Sequence, residues 1–299
     1  MAYLLVTTRH LEDRLLFRDI QDFIVGMNYV AVQAFKCGVF VLAFVLMSNH
    51  LHFVLLCSRE KAEAFIDGLK TAYSRYYWNK YGSHEHLRRL KVDYKVLEGD
   101  EALEWAIAYV HMNPVAANIC VSPFDYLWGT GNCFFRTSRG GGNDARDGIG
   151  RKKGVSLGAM SARQRLRILH SRADLPGEWM VDEYGVVMPE SYVRKDRVEA
   201  AYRTPRRMQF FLQNSSKAKQ RMGGAEDANV PAFRDQVILA ALPDICQSLF
   251  RKRSMSELTE EQIVELLRQL RFRFSAGPNQ LARVTGLSYD EAAKYLDRA

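Results

Sequence analysis

The sequence predicts an α+β protein: a small antiparallel sheet with packed helices, followed by a mostly helical C-terminal region. Strand-like and helix-like hydrophobic patterns alternate through residues 1–137. A polar, glycine-rich run then interrupts the pattern at 138–154, and helical periodicity dominates 155–299.

Tyr3 to Thr8 reads as the first strand and Asp19 to Phe35 as an amphipathic helix. Val39 to Met47 is an apolar strand, Ser48-Asn49 marks a turn, and His50 to Cys57 returns as a second strand. Both faces of this hairpin are apolar, which predicts strands in the middle of the sheet, covered on both sides. A long helix runs from Glu60 to Tyr81, with Phe65, Leu69, Tyr73 and Tyr76 at helical spacing; Gly82-Ser83 supplies its stop. Val92 to Leu97 is a short strand. Asp100 to Met112 is a helix that Asn113-Pro114 is expected to end, because the proline ring disfavours helical geometry in the residue before it.

The run from Ser138 to Gly154 reads as a flexible linker and the clearest domain boundary. Gly148 and Gly150 lack the following Lys-Ser or Lys-Thr of a phosphate-binding loop, so a bound nucleoside triphosphate is not supported. From Ser156 to Lys219, basic residues are interleaved with Trp179, Tyr184, Tyr192, Tyr202, Phe210 and Phe211. Thr259 and Gln262 form a capping box that opens an amphipathic helix to about Arg271. Residues 279–296 read as a short helix, a glycine turn at Gly286 and a second helix capped by Ser288 and Glu291. That end resembles a helix-turn-helix, with a generic three-helix bundle as the alternative.

Hydrophobic residues make up 47% of the chain and charged residues 25%, ordinary values for a globular protein. There is no apolar run long enough to cross a bilayer. The N-terminus reads as a strand rather than a signal peptide, which predicts a cytoplasmic protein with no membrane partner. Cys37, Cys57, Cys120, Cys133 and Cys246 are scattered, arguing against a disulfide framework or a thiolate zinc site. A formal charge of +8 fits a polyanionic partner but does not by itself identify one.

The chemistry-bearing stretch is Met47-Ser48-Asn49-His50-Leu51-His52. Side chains alternate along a strand, so His50 and His52 share a face, where two neutral imidazoles can hold a divalent cation with positions open for a phosphate oxygen. The bland alternative is a pair of buried histidines bonded to their neighbours. The second such triplet, His84-Glu85-His86, lies in a polar stretch beside Arg88, Arg89 and Lys91 and reads as a solvated loop. Tyr109 and Asn113, four apart, share a helix face. Such a tyrosine can attack a phosphodiester, and the asparagine carbonyl can complete a mixed nitrogen and oxygen metal site. His111 points elsewhere and reads as structural. Spacing alone does not choose among 14 tyrosines, and Tyr73, Tyr76 and Tyr77 are the main rivals to Tyr109.

Five segments then occur in order: Thr7-Thr8-Arg9; Met47 to His52; Leu69-Lys70 with Tyr73 and Tyr76; Tyr109-Val110-His111-Met112-Asn113-Pro114-Val115; and Tyr126-Leu127-Trp128. Together they resemble the single-tyrosine HUH transposases, in particular the REP-associated tyrosine transposases. The resemblance covers roughly residues 1–135. It implies a ferredoxin-like or RRM-like sheet, His50 and His52 as the metal-binding pair, Asn113 as the amide ligand and Tyr109 as the nucleophile. It also implies magnesium or manganese, and single-stranded, hairpin-forming DNA as substrate. The chain departs from the family before the fourth strand, where His84 to Leu90 replaces a stretch usually containing glycine and tryptophan.

On this reading Tyr109 leaves a 5′-phosphotyrosine and a free 3′-hydroxyl, and DNA contacts are expected from Arg9, Lys70, Tyr73, Arg75, Lys80, Arg88, Arg89 and Lys91. Two other classes compete: a DNA-binding regulator that keeps the fold without catalysis, and a metal-dependent hydrolytic nuclease without a covalent intermediate. The sequence is compatible with a monomer or a homodimer.

Overall fold

The computed structural model describes residues 1–8, 15–82, 90–117, 119–135, 154–214 and 233–297. Arg9, Arg88, Arg89, the triplet His84 to His86 and the predicted linker up to residue 153 lie outside the described residues.

The first seven elements follow the expected order: β1 (Ala2–Thr8), α1 (Ile20–Cys37), β2 (Phe40–Leu46), β3 (Leu51–Cys57), α2 (Arg59–Tyr81), β4 (Val92–Leu97) and α3 (Gly99–Ala116). The strands form one antiparallel sheet of order β2-β3-β1-β4, the split β-α-β arrangement of ferredoxin-like folds. Local chemistry sets the helix ends. Asp19 caps α1 by accepting from Asp22 N at 2.9 Å, and α1 stops at Gly38, whose φ of 58° is the left-handed conformation glycine adopts without strain.

The hairpin departs from expectation in one respect. β3 and β1 are central, but β2 is the edge of the four-stranded sheet. Its side chains are nonetheless buried, because distant segments cover the edge. Leu46 N donates to Trp128 O at 2.8 Å, Thr130 N donates to Phe44 O at 3.0 Å, and Arg194 N donates to Val41 O at 2.9 Å. Gly129 makes this approach possible: a Cβ there would lie 2.7 Å from Phe44 O.

Helix α3 departs too, running through Pro114 to Ala116 instead of ending at Met112. Pro114 costs the helix the one bond its missing N–H would have donated to Val110 O, and its ring is buried. Asn113 Nδ2 donates to Tyr109 O at 2.8 Å, and Ile119 N donates to Pro114 O at 2.8 Å.

Beyond residue 153 the chain wraps around the β2 edge. A two-stranded sheet, β5 (Val155–Ser156) and β6 (Met180–Val181), and α4 (Ala162–Leu169) pack near α1. Asn28 of α1 anchors them: its Nδ2 donates to Gly185 O at 2.8 Å, and its Oδ1 accepts from Val187 N at 2.8 Å. After Val193 bridges to Val41, α5 (Lys195–Tyr202) and α6 (Pro205–Gln213) pack on α3. The sheet's hydrophobic core therefore takes in Val198, Tyr202, Met208 and Phe211 as well as the strands.

The last four helices are α7 (Asp235–Phe250), α8 (Glu260–Phe274), α9 (Pro278–Thr285) and α10 (Tyr289–Asp297). They enclose a separate core that includes Ile238, Ile245, Leu266, Leu270, Leu281 and Leu296. The Thr259 and Gln262 capping box opens α8, and Ser288 and Glu291 bond reciprocally at the start of α10. The C-terminal region is thus helical, as the periodicity predicts.

Candidate active site

Strand β3 is regular, so alternate side chains take opposite faces of the sheet. Phe53 meets Phe65 of α2, with ring centroids 5.2 Å apart. His52 takes the other face and meets Tyr109 of α3 edge-on, with centroids 5.2 Å apart at 83°. His50 stands just before β3 rather than inside it, yet its ring lies beside His52 at 4.8 Å and 89°. The two imidazoles are 4% and 0% exposed, so this group is built into the interior.

Each ring is oriented through Nδ1. His50 Nδ1 lies 2.8 Å from Asn49 Oδ1, and His52 Nδ1 lies 3.2 Å from Thr7 Oγ1. An amide oxygen only accepts, so Nδ1 of His50 is the donor in that pair and Nε2 carries the lone pair of the neutral ring. Thr7 reaches His52 because the two are direct partners in the β1–β3 ladder. Both Nε2 atoms are buried. A lone-pair Nε2 fixed by a bond at Nδ1 is the usual arrangement of a metal-binding histidine.

Among the described residues, no His, Cys, Asp or Glu joins His50 and His52 to make a group of three. A further protein ligand would have to be of another kind, such as the amide of Asn113, one turn along α3 from Tyr109. Its Nδ2 is committed to Tyr109 O, so the carbonyl oxygen is what the side chain has to give. Because α3 continues through Pro114, Tyr109 and Asn113 keep their common helical face.

The rival tyrosines are occupied elsewhere. Tyr73 is buried, donates its hydroxyl to Leu16 O, and has its pKa raised well above the ordinary value by burial. Tyr76 donates to Asp22 Oδ1 at 2.9 Å, and Tyr77 is buried in the core. His111 is also a packing residue. Its Nε2 lies 3.0 Å from Thr130 Oγ1, and burial pushes its pKa down to about 3.

The residues expected to contact DNA separate into two kinds. Arg75 and Lys91 are exposed. Lys70 donates to Leu90 O at 2.8 Å, and Lys80 bridges Asp19 and Asp22 at 2.6 and 2.7 Å, clamping α2 to the start of α1. Tyr73, with its ring in the core, presents no stacking face. In the basic and aromatic stretch after the linker, Trp179, Tyr202 and Phe211 are likewise core, while Tyr184 and Phe210 are exposed. At the C-terminal end, α10 exposes Asp290, Glu291 and Asp297 beside Lys294, a poor match to a phosphate backbone.

Sequence reasoning gave no role to Thr7 or Asn49, and it missed a brace on α3. The fully buried Glu104 receives Arg207 of α6, with Nη2 to Oε2 at 2.8 Å, and its carbonyl accepts from Tyr202 of α5. Trp105 packs against Phe211 at 4.6 Å. The helix carrying Tyr109 is thus held by residues about a hundred positions downstream, for which no local signal exists. Asn49, adjacent to His50, was the one legible from proximity.

No described helix is long and apolar enough to cross a membrane. No family model matches the chain, and no curated protein matches it. Among solved structures the chain is similar to a REP-associated tyrosine transposase bound to a REP hairpin. The identity is 11% and the TM-score 0.33, over 43% of this chain and 76% of the other.

Proposed function

We propose that this chain is a transposase-like enzyme that nicks and rejoins single-stranded DNA through a covalent tyrosine intermediate, with Tyr109 as nucleophile. The observation that carries the reading is the ring contact between His52 and Tyr109, with His50 alongside. Two histidines oriented through Nδ1 have been brought to the tyrosine that the family resemblance also points to.

In the proposed step Tyr109 Oη passes its proton to solvent and bonds to the phosphorus of a phosphodiester. The P–O3′ bond breaks, and the departing 3′-oxygen takes up a proton. The products are a 5′-phosphotyrosine and a free 3′-hydroxyl. A phenol with an ordinary pKa of about 10 is ionised in roughly one molecule in a thousand at pH 7, a cost of about 4 kcal/mol. A divalent cation held by His50 Nε2, His52 Nε2 and Asn113 Oδ1 would supply charge stabilisation at the phosphate. Two imidazole donors suit manganese better than magnesium, which prefers an all-oxygen shell. Thr7 and Asn49 hold the imidazoles in place, and the Glu104 brace fixes the helix from which Tyr109 projects. The phosphotyrosine conserves the energy of the phosphodiester, so a second 3′-hydroxyl can reverse the step without a nucleoside triphosphate.

The substrate class is single-stranded or hairpin DNA. An unpaired strand leaves its backbone accessible, and the charge of +8 attracts it. The hydrolytic alternative is less well supported, since a water-using nuclease would have no need of Tyr109 against His52.

The test is incubation of the protein with end-labelled hairpin oligonucleotides drawn from the flanks of its own gene, with manganese or magnesium, followed by a denaturing gel. The expected result is label at the mass of the protein, absent with EDTA and absent in Tyr109→Phe. Cleavage without that band would favour a water-using nuclease. Binding without cleavage in either metal would favour the regulator.

A further inference from the structure

The β2–β3 turn that delivers His50 is held from outside the sheet. Its ends are closed by Met47 N donating to His50 O at 2.9 Å. Within it, Ser48 O accepts from Leu16 N and Phe17 N at 2.8 and 3.1 Å. The Ser48 hydroxyl donates to Asp235 Oδ2 at 3.2 Å, and Asp235 is the first residue of α7 in the C-terminal bundle. The next residue, Gln236, sends Nε2 to Phe17 O at 3.2 Å, so two successive side chains of α7 engage the same corner.

Asp235 is buried, and a buried carboxylate is costly unless it is paired and hydrogen-bonded. The bundle supplies most of what it needs. Gln280 Nε2 donates to Oδ1 at 2.9 Å, Arg283 Nε donates to Oδ2 at 2.9 Å, and Arg283 Nη2 donates to Oδ1 at 3.2 Å. Gln280 and Arg283 both belong to α9, the first helix of the helix-turn-helix-like end. A continuous polar path therefore runs from α9 through Asp235 to Ser48. Asn49, the next residue in the turn, fixes the His50 ring.

We infer that Ser48 and Asp235 are positioning residues, through which the C-terminal bundle sets the place of His50. The inference rests on the proposed role of His50 as a metal ligand. It gives the bundle a function that needs no DNA contact, consistent with the acidic exposed face of α10. Arg283 and Gln280 are turned inward to hold the carboxylate.

The test uses the full chain and manganese alone, with free manganese followed by electron paramagnetic resonance. Ser48→Ala, Asp235→Asn and the double variant are compared with the parent, and amide hydrogen exchange is followed over residues 46–52. Loss of groups that orient a ligand lowers metal affinity by about ten- to a hundredfold, and Ser48 acts one step further out, so a loss of roughly three- to tenfold is expected from each single change. The double variant should lose no more than the larger single, because both changes break one link. Ser48→Thr, which keeps the hydroxyl, should restore affinity, and exchange over 46–52 should quicken in Ser48→Ala. Unchanged affinity and exchange in Ser48→Ala, or fold-losses that multiply in the double variant, would overturn the inference. Ser48→Ala leaves the Asp235, Gln280 and Arg283 cluster intact, so collapse of the bundle cannot imitate the effect. If the parent takes up no manganese, the metal reading of His50 fails by itself, and the exchange comparison decides whether the bundle holds the turn.

Discussion

The two faces of β3 are built for different ends. On one face Leu51, Phe53 and Leu55 are buried in hydrocarbon, and Phe53 packs against Phe65 of α2. On the other, the same few residues of chain bury His50 and His52 against Tyr109 of α3. The first face stabilises the fold by removing apolar area from water and by close packing. The second does the reverse, burying nitrogen-bearing rings and requiring Asn49 and Thr7 to compensate them. An apolar residue at 52 would serve the sheet at least as well. The face that works against stability is the one to examine for chemistry.

Tyr109→Phe should sharpen this contrast most. It removes only the attacking oxygen, so the covalent adduct should fall about a thousandfold or more while DNA retention stays near that of the parent. A denaturing gel beside a filter-retention assay reads both quantities. A variant that still formed the adduct would move the nucleophile elsewhere. His52→Leu addresses the other half of the argument. Adduct formation should again be lost, but thermal stability should hold or rise, since a costly polar burial is replaced by an apolar one. A large fall in melting temperature would mean that His52 serves the fold after all.

On the apolar face the outcome should invert. Phe53→Ala leaves a cavity between the sheet and α2 and should cost about 3–5 kcal/mol in urea unfolding, as large buried aromatics do. Whatever fraction remains folded should keep its dependence on manganese. If Phe53→Ala instead changed metal affinity in the folded fraction, the two faces would not be separable.

The element order was legible because β1 to α3 carry clear hydrophobic periods, and Gly82 ends α2 where the glycine stop was expected. The edge position of β2 was not legible. Its apolar pattern reflects a covering made by Trp128 to Thr130 and by Val193 and Arg194, segments far along the chain that no window includes. Pro114 misled because the helix runs on past it despite the lost backbone bond, with the ring buried. Within the site, alternation along β3 and a four-residue helical step make pairs of residues visible, but neither says which pairs face each other. Tyr73 and Tyr109 look alike in spacing, and only tertiary packing sends one ring to the core and the other to His52. Thr7 was invisible for a similar reason, because its role depends on strand register with a residue 45 positions away.

His111 offers a smaller, pH-dependent test of the same boundary between folding and chemistry. Burial holds its pKa at about 3, against an ordinary value of 6.5. The unfolded chain takes up this proton as pH falls through about 6.5, while the folded chain resists until about 3. Between those values the unfolded state binds more protons, so stability should fall with falling pH, by up to about 1.4 kcal/mol per unit from this group. His111→Gln should flatten that part of the profile in urea midpoints measured from pH 4 to 7. If the profile were unchanged, another buried group would have to carry the slope.

The smallest effect is expected at a helix cap in the C-terminal bundle. Thr259 opens α8 through a reciprocal bond pair with Gln262 at an exposed helix end. Thr259→Ala removes one cap and should cost about 1 kcal/mol. Adduct formation and manganese affinity should not change, in contrast to Ser48→Ala, which alters less of the bundle but touches the His50 turn. A matched loss of metal affinity in both variants would mean that the site responds to the general stability of the bundle. A loss confined to Ser48→Ala would mean that it responds to one hydroxyl and the carboxylate behind it.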